Sequence, residues 1–181
     1  MDSDLSIAVL GLLSLRPLSG YSVRKIFLTT AWKSFSSSPG AIYPALNRLE
    51  AAGLIKGSVE KGETLRPRKI YALTKKGEST LKQYLAKPVT REDIIWRLNS
   101  IPLRFAFMGT HLEKERVLDF LTGLTTELNA YVDSLVAENK SLENEMPFCS
   151  QAAFRLGLEN LRTHVRWAQK TYNELKNKKE I

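Results

Sequence analysis

A mostly helical protein with one small two-stranded β element, divided into an N-terminal and a C-terminal domain near Pro88, is the fold class this sequence predicts. Three observations carry it. Apolar residues recur at three- and four-residue spacing through most of the chain. The period switches to alternation only over residues 55–60 and 70–73. The charge balance also changes at Pro88. Residues 1–87 hold 14 Lys or Arg against 6 Asp or Glu, whereas residues 88–181 hold 13 of each sign, so the whole formal excess of +8 lies in the N-terminal half.

With 181 residues, 43% hydrophobic and 25% charged, the chain can bury a core without disulfides, and its composition excludes disorder as the dominant state. Cys149 is the only cysteine, which excludes an internal disulfide and points to a reducing, cytoplasmic setting. The longest apolar run, Ile7 to Leu13, is far short of the roughly 20 residues that span a bilayer. It follows Asp2 and Asp4, where a leader would carry positive charge. The sequence therefore predicts neither export nor membrane insertion.

The elements follow in chain order. Leu5–Leu15 is apolar on nearly every side, as a helix buried on several faces requires, and Arg16 and Pro17 close it. Ser19 is the expected N-cap of a second helix with Val23, Ile26, Phe27 and Thr30 on one stripe. A loop around Trp32–Ser38 leads to a third helix, which places Ile42, Ala45, Leu46, Leu49 and Ala52 together and stops at Gly53. Pro44 fits this helix only if it begins near Gly40, where one early hydrogen bond is all that is lost. Ile55, Gly57 and Val59 then alternate with Lys56, Ser58 and Glu60. Tyr71 and Leu73 alternate with Ile70 and Ala72, which makes two strands joined by an exposed tip over Lys61–Pro67. Thr74 is placed to cap a fourth helix reaching about Leu85.

After Pro88 the pattern is helical throughout. Thr90 precedes Asp93 by three residues, a shortened capping box, and Pro102 is expected to end or kink the helix that follows. From about Leu112 to Glu143, Leu121, Leu128, Leu135 and Leu142 stand seven apart. Beyond the Met146-Pro147 break, Phe154, Leu158, Leu161, Val165, Ala168, Tyr172 and Leu175 repeat at steps of four and three. Two such seams fit antiparallel packing on each other with apolar surface left for a second subunit, rather than a parallel zipper.

Three helices, a hairpin with a basic tip and a further helix is the order of a winged helix-turn-helix. Specific segments sharpen it: Leu10-Gly11-Leu12-Leu13, Leu18-Ser19-Gly20-Tyr21, Gly40-Ala41-Ile42-Tyr43-Pro44-Ala45-Leu46, Arg48-Leu49-Glu50, Gly53-Leu54-Ile55, and Arg68-Lys69-Ile70-Tyr71-Ala72-Leu73-Thr74 with Gly77. In order and spacing across residues 5–85 these resemble the N-terminal domain of the PadR family of bacterial transcriptional regulators. Past Pro88, Glu92, Ile94, Leu98 and Trp167 resemble the larger subgroup of that family, whose C-terminal helical domain dimerises. The loop from Thr29 to Ser38 is longer than the family pattern. The resemblance implies a DNA-binding domain over 1–87 and a helical dimerisation domain, open to a small-molecule effector, over 88–181.

The residues carry a matching reading of their own. At about 100° per residue, Gly40, Tyr43, Asn47 and Ala51 fall opposite or beside the apolar stripe of the third helix, leaving a small, polar outer face. Small residues let a backbone enter a major groove, and an amide such as Asn47 pairs with adenine. Ser37, Ser38 and the helix N-terminus suit a phosphate, with Tyr43 as a further donor. In the hairpin, Lys61, Arg66, Arg68 and Lys69 suit phosphates or a narrow minor groove. The plainer alternative is an ordinary polar helix face and a hairpin edge kept soluble by charge.

Catalytic chemistry finds no support in the sequence. The run Gly57-Ser58-Val59-Glu60-Lys61-Gly62-Glu63-Thr64 approaches a phosphate-binding loop, but Glu63 replaces its essential lysine and a strand follows where a helix is needed. His111 and His164 are far apart, Cys149 has no His beside it, and no metal or cofactor is expected. The sequence reading is thus a sequence-specific regulator binding double-stranded DNA as a homodimer on an inverted repeat, most simply as a ligand-responsive repressor. Leu121, Leu128, Leu135, Phe154, Leu158, Leu161 and Val165 serve dimerisation in it. Trp96, Phe105, Phe107 and Trp167 are the candidates for an effector pocket. The alternatives are a winged-helix protein-interaction module and an activator of the same family.

Overall fold

A computed structural model describes residues 4–29, 38–60, 68–140 and 146–178. The elements run α1 (Asp4–Leu15), β1 (Leu18–Ser19), α2 (Gly20–Thr29), α3 (Pro39–Ala51), β2 (Ile55–Glu60), β3 (Arg68–Leu73), α4 (Lys75–Leu85), α5 (Arg91–Arg97), a 3-10 turn (Leu98–Ser100), α6 (Ile101–Ala106), α7 (Lys114–Asn139) and α8 (Phe148–Lys176). The fold is mostly helical with a small antiparallel sheet, the winged-helix arrangement. The chain separates into two compact units, one of Met1–Lys87 with Asn99–His111, the other of Pro88–Leu98 with Leu112–Ile181.

In the first unit α1 is the central helix. Leu5 and the continuous run Ile7–Leu10, together with Leu12 and Leu13, are all buried. Helices α3, α4 and α6 and strand β3 pack around it. Ser19 caps α2, its hydroxyl accepting the Ser22 backbone N–H at 3.1 Å. The helix α3 begins at Pro39, so Pro44 forfeits the bond to the Gly40 carbonyl one turn in and leaves the rest of the ladder intact. It ends in a Schellman turn. Gly53 adopts φ +69°, its N–H reaches the Glu50 carbonyl at 2.9 Å, and the Leu54 N–H reaches the Leu49 carbonyl at 2.9 Å. Thr74 caps α4 by accepting the Gly77 N–H at 3.0 Å. Gly77 has to be glycine, because a Cβ there would stand 2.0 Å from the Leu54 carbonyl oxygen.

The sheet has three strands in the order β1-β3-β2, one more than the sequence suggests. Leu18 pairs with Tyr71 and Ser19 with Ile70, while β2 and β3 are in register from Ile55 opposite Leu73 to Glu60 opposite Arg68. A two-residue strand has no alternation to detect. Its pairing depends on a partner some fifty residues downstream.

The break at Pro88 places Asn99–His111 in the C-terminal half, whereas the structure packs this segment into the first unit. The physical reason is twofold. Phe107 lies across Gly11, and Arg104 is buried with its guanidinium 3.0 Å from the Leu85 carbonyl, also donating to the Lys87 carbonyl. These carbonyls end α4, where a cation is favoured. Pro102 does not end a helix; it lies in the first turn of α6, where its missing N–H costs little.

In the second unit Thr90 and Asp93 form a full capping box at the start of α5. Arg91 donates to the Ser134 hydroxyl at 2.7 Å and its guanidinium sits 5.0 Å from the Tyr131 ring centre, fastening α5 to α7. Lys114 at the start of α7 donates to the Lys176 carbonyl at 3.2 Å and to that of Lys178, so α7 and α8 run antiparallel. Among the described residues no helix is long and apolar enough to cross a membrane.

Candidate nucleic-acid interface

Burial of Ile42, Ala45, Leu46 and Leu49 turns the opposite side of α3 outward. On it stand Gly40, Tyr43, Asn47 and Arg48, all exposed, with Ser38 exposed at the helix start. Ser38 takes extended backbone there and its carbonyl receives the Ala41 and Ile42 N–H groups at 3.0 and 3.1 Å, so it caps through its backbone rather than its hydroxyl. The Tyr43 ring is placed by Gly20. A Cβ on Gly20 would lie 2.7 Å from the ring and 3.1 Å from Leu46 Cδ1, so only glycine lets the start of α2 close on α3.

Beside Tyr43 opens a cleft of about 570 Å³ lined by Ser19, Gly20, Tyr21, Ser22, Lys25, Arg68, Lys69 and Tyr71 as well. Three cations, three aromatic hydroxyls and two serine hydroxyls thus border one surface. These are donors suited to anionic oxygen, and they lie where α2, α3 and the wing strand meet.

The two cations at the start of β3 differ in their surroundings. Arg68 is exposed at the end of β3 opposite Glu60. Lys69 instead forms an ion pair with Glu50 of α3, Nζ to Oε2 at 2.6 Å, and lies 5.2 Å from the Tyr71 ring centre. The other Glu50 oxygen accepts the Gly57 N–H at 3.0 Å. The hydrogen bond from Lys69 holds the Glu50 carboxyl below its usual range, and the same bond raises the Lys69 ammonium. Sequence reading missed Glu50, although its place on the helix leading into β2 was visible.

Ser37, Lys61 and Arg66 lie outside the described residues. In the second unit, Leu121, Leu128, Leu158, Leu161 and Val165 are buried where α7 and α8 pack together, while Leu135 and Phe154 remain half-exposed. Of the four aromatics expected to line an effector pocket, Phe107 is core of the first unit and Phe105 is half-buried in that same unit. Trp96 is 81% exposed and Trp167 half-buried, both in the second unit. A groove of about 460 Å³ between α7 and α8 is lined by other residues, Leu121, Thr122, Thr125, Thr126, Gln169, Tyr172 and Asn173.

Residues 9–83 match the model of the transcriptional regulator PadR-like family. No curated protein is similar enough to match. Among solved structures, the chain is similar to Bacillus subtilis PadR in complex with operator DNA, at 24% identity over 94% of this chain and 98% of that one, TM-score 0.44. It is similar to the same protein in complex with p-coumaric acid at 22% identity, covering 97% and 100%, TM-score 0.41. It is similar also to the PadR-like regulator BC1756 of Bacillus cereus at 26% identity, covering 95% and 98%, TM-score 0.39. The family match spans α1 to α4, including the helix that carries Tyr43 and Asn47 and the strand that carries Arg68. That segment, residues 9–83, is the part of the chain that matches the PadR-like family of transcriptional regulators.

Proposed function

We propose that the protein binds a specific operator in double-stranded DNA as a homodimer, with α3 in the major groove and the β2–β3 wing against the flanking backbone, and that it represses by occluding a promoter. The outward face of α3 carries this reading, because Gly40 and the polar Tyr43 and Asn47 stand on the side away from the core, and Tyr43 shares a cleft with Arg68 and Lys25. An inverted repeat follows from a two-fold dimer, whose half-sites lie about one helical turn or a multiple apart. The reducing cytoplasm suits the exposed Cys149 thiol.

For dimerisation, exposed apolar residues favour the N-terminal half of α8 over the α7–α8 seam. Phe148 is 76% exposed and Leu156 63%, with Phe154 and Leu135 half-exposed. The residues of the seam are already covered within one chain. A small-molecule effector fits the α7–α8 groove, since about 460 Å³ is within the range of ligand pockets. Such a ligand weakens repression only by its differential affinity for a dimer whose recognition helices no longer match successive grooves.

The test is a duplex selected from a random-sequence pool by the full chain, with affinity followed against salt. Two wings and two helix starts contacting roughly 6–10 phosphates give a log–log slope of about −0.9 per phosphate. A slope between zero and about −2 on the selected duplex, or sedimentation as a monomer that binds as one, sinks the symmetric mechanism.

A further inference from the structure

The Glu50–Lys69 pair is built into the fold rather than laid on its surface. Gly57, opposite Tyr71 in the ladder, lies directly beneath it: a Cβ there would fall 2.2 Å from Lys69 Cε and 2.7 Å from Glu50 Oε1. Glycine in the middle of a strand weakens it, so its presence marks a close approach. Here the approaching groups are the carboxylate of α3 and the lysine of β3. One carboxylate therefore ties the end of α3 to both strands of the wing, to β2 through the Gly57 N–H at 3.0 Å and to β3 through Lys69 at 2.6 Å. The Tyr71 ring on the same face of β3 steadies the ammonium.

This arrangement has a consequence for an anionic partner. Non-specific affinity for DNA rises with every cation free to displace a counterion, whereas selectivity depends on the ratio of specific to non-specific binding. A lysine already paired with a carboxylate adds little to the first, and a wing held at a fixed angle to α3 supports the second. We infer that Glu50 is a positioning residue that clasps the wing to α3 and withholds Lys69 from the DNA backbone, leaving its neighbour Arg68, at the start of β3, to contact phosphate. The inference rests on the DNA-binding reading and departs from the expectation that Lys69 contacts DNA. The shifts of the two groups, the carboxyl downward and the ammonium upward, agree with a pair that is charged at neutral pH.

The experiment uses the full-length protein, its selected duplex and poly(dI-dC) as the non-specific probe. Glu50→Gln keeps an oxygen for the Gly57 N–H but gives up the ion pair. It should steepen the salt slope by about 0.9 per released lysine and raise affinity for poly(dI-dC) about tenfold at low salt, lowering the selectivity ratio accordingly. Lys69→Gln alone should leave the slope unchanged, and the double variant should return to the wild-type slope. A melting temperature measured on each variant separates these effects from loss of fold. If Glu50→Gln does not fold, Lys69→Gln still decides, because it leaves the Glu50–Gly57 bond in place. A slope made shallower by about 0.9 in Lys69→Gln, or an unaltered ratio in a folded Glu50→Gln, overturns the clasp while DNA binding stands. If the wild-type protein selects no duplex, the DNA-binding reading itself has failed and the clasp with it.

Discussion

The ring of Phe107 occupies the space a side chain on Gly11 would need, since a Cβ there would stand 2.4 Å from two of its ring carbons. Glycine at the middle of an otherwise apolar α1 costs helix stability of about 1 kcal/mol relative to alanine, and the aromatic ring laid across it offsets that loss. Gly11→Ala should therefore destabilise by about 1–3 kcal/mol despite its better helix propensity. Phe107→Ala should cost about 3–5 kcal/mol. Denaturant melts of both variants check this. An increase in stability for Gly11→Ala would show that the ring does not hold this position.

The same packing changes what a truncated chain should do. The sequence places a whole winged-helix domain within 1–87, but Ile101, Leu103, Phe107 and Met108 are all buried, and Arg104 closes the end of α4. A fragment ending at Lys87 loses these residues and exposes the side of α1 that α6 covers. It should melt at least 10 °C below a fragment ending at His111, because each kcal/mol shifts a domain of this size by roughly 4–8 °C. Equal melting temperatures and equally dispersed amide spectra would make Asn99–His111 dispensable.

Locally coded features were legible in the sequence because their signals sit within a few residues: Ser19 and Thr74 as caps, the Thr90 and Asp93 box, Gly53 as the stop of α3, and Pro44 inside the first turns of a helix. What escaped depends on distant partners. β1 exists only because Leu18 and Ser19 meet Tyr71 and Ile70. The Asn99–His111 segment follows a helical pattern that says nothing about which neighbour covers it, and Phe107 reads equally as core or as pocket wall. Lys69 looks like any basic wing residue until the hairpin register brings it and Gly57 under Glu50, 19 positions earlier than Lys69.

His111 joins the first unit through a 2.8 Å hydrogen bond between its Nε2 and the Ser14 hydroxyl, which itself donates to the Gly11 carbonyl at 2.7 Å. Burial pushes the imidazole below its usual value near 6.5, with Lys82 acting in the same direction and Glu78 against it. The unfolded chain then takes up the proton first as pH falls. The contribution of His111 to stability is complete above about pH 6.5 and declines below it until the folded group is also protonated. The melting temperature of the wild type should fall more between pH 7.5 and 5 than that of His111→Gln, whose amide still reaches Ser14. Parallel curves would remove His111 as a source of pH dependence.

The last contrast separates reading of sequence from attachment to the backbone. Asn47 is exposed on the outer face of α3, one turn beyond Tyr43, while Arg68 stands at the start of β3, opposite Glu60. An amide in the major groove discriminates among bases, whereas a guanidinium on a phosphate does not. Asn47→Ala should therefore relax the selected-site profile at one position per half-site, by roughly 1–3 kcal/mol of discrimination. Arg68→Ala should weaken binding about equally on all duplexes and make the salt slope shallower by about one phosphate per subunit. Repeating the selection with each variant distinguishes them. If Asn47→Ala returns the wild-type profile while Arg68→Ala alters it, the wing reads the bases and α3 sits against the backbone, which reverses the docking proposed for the two elements.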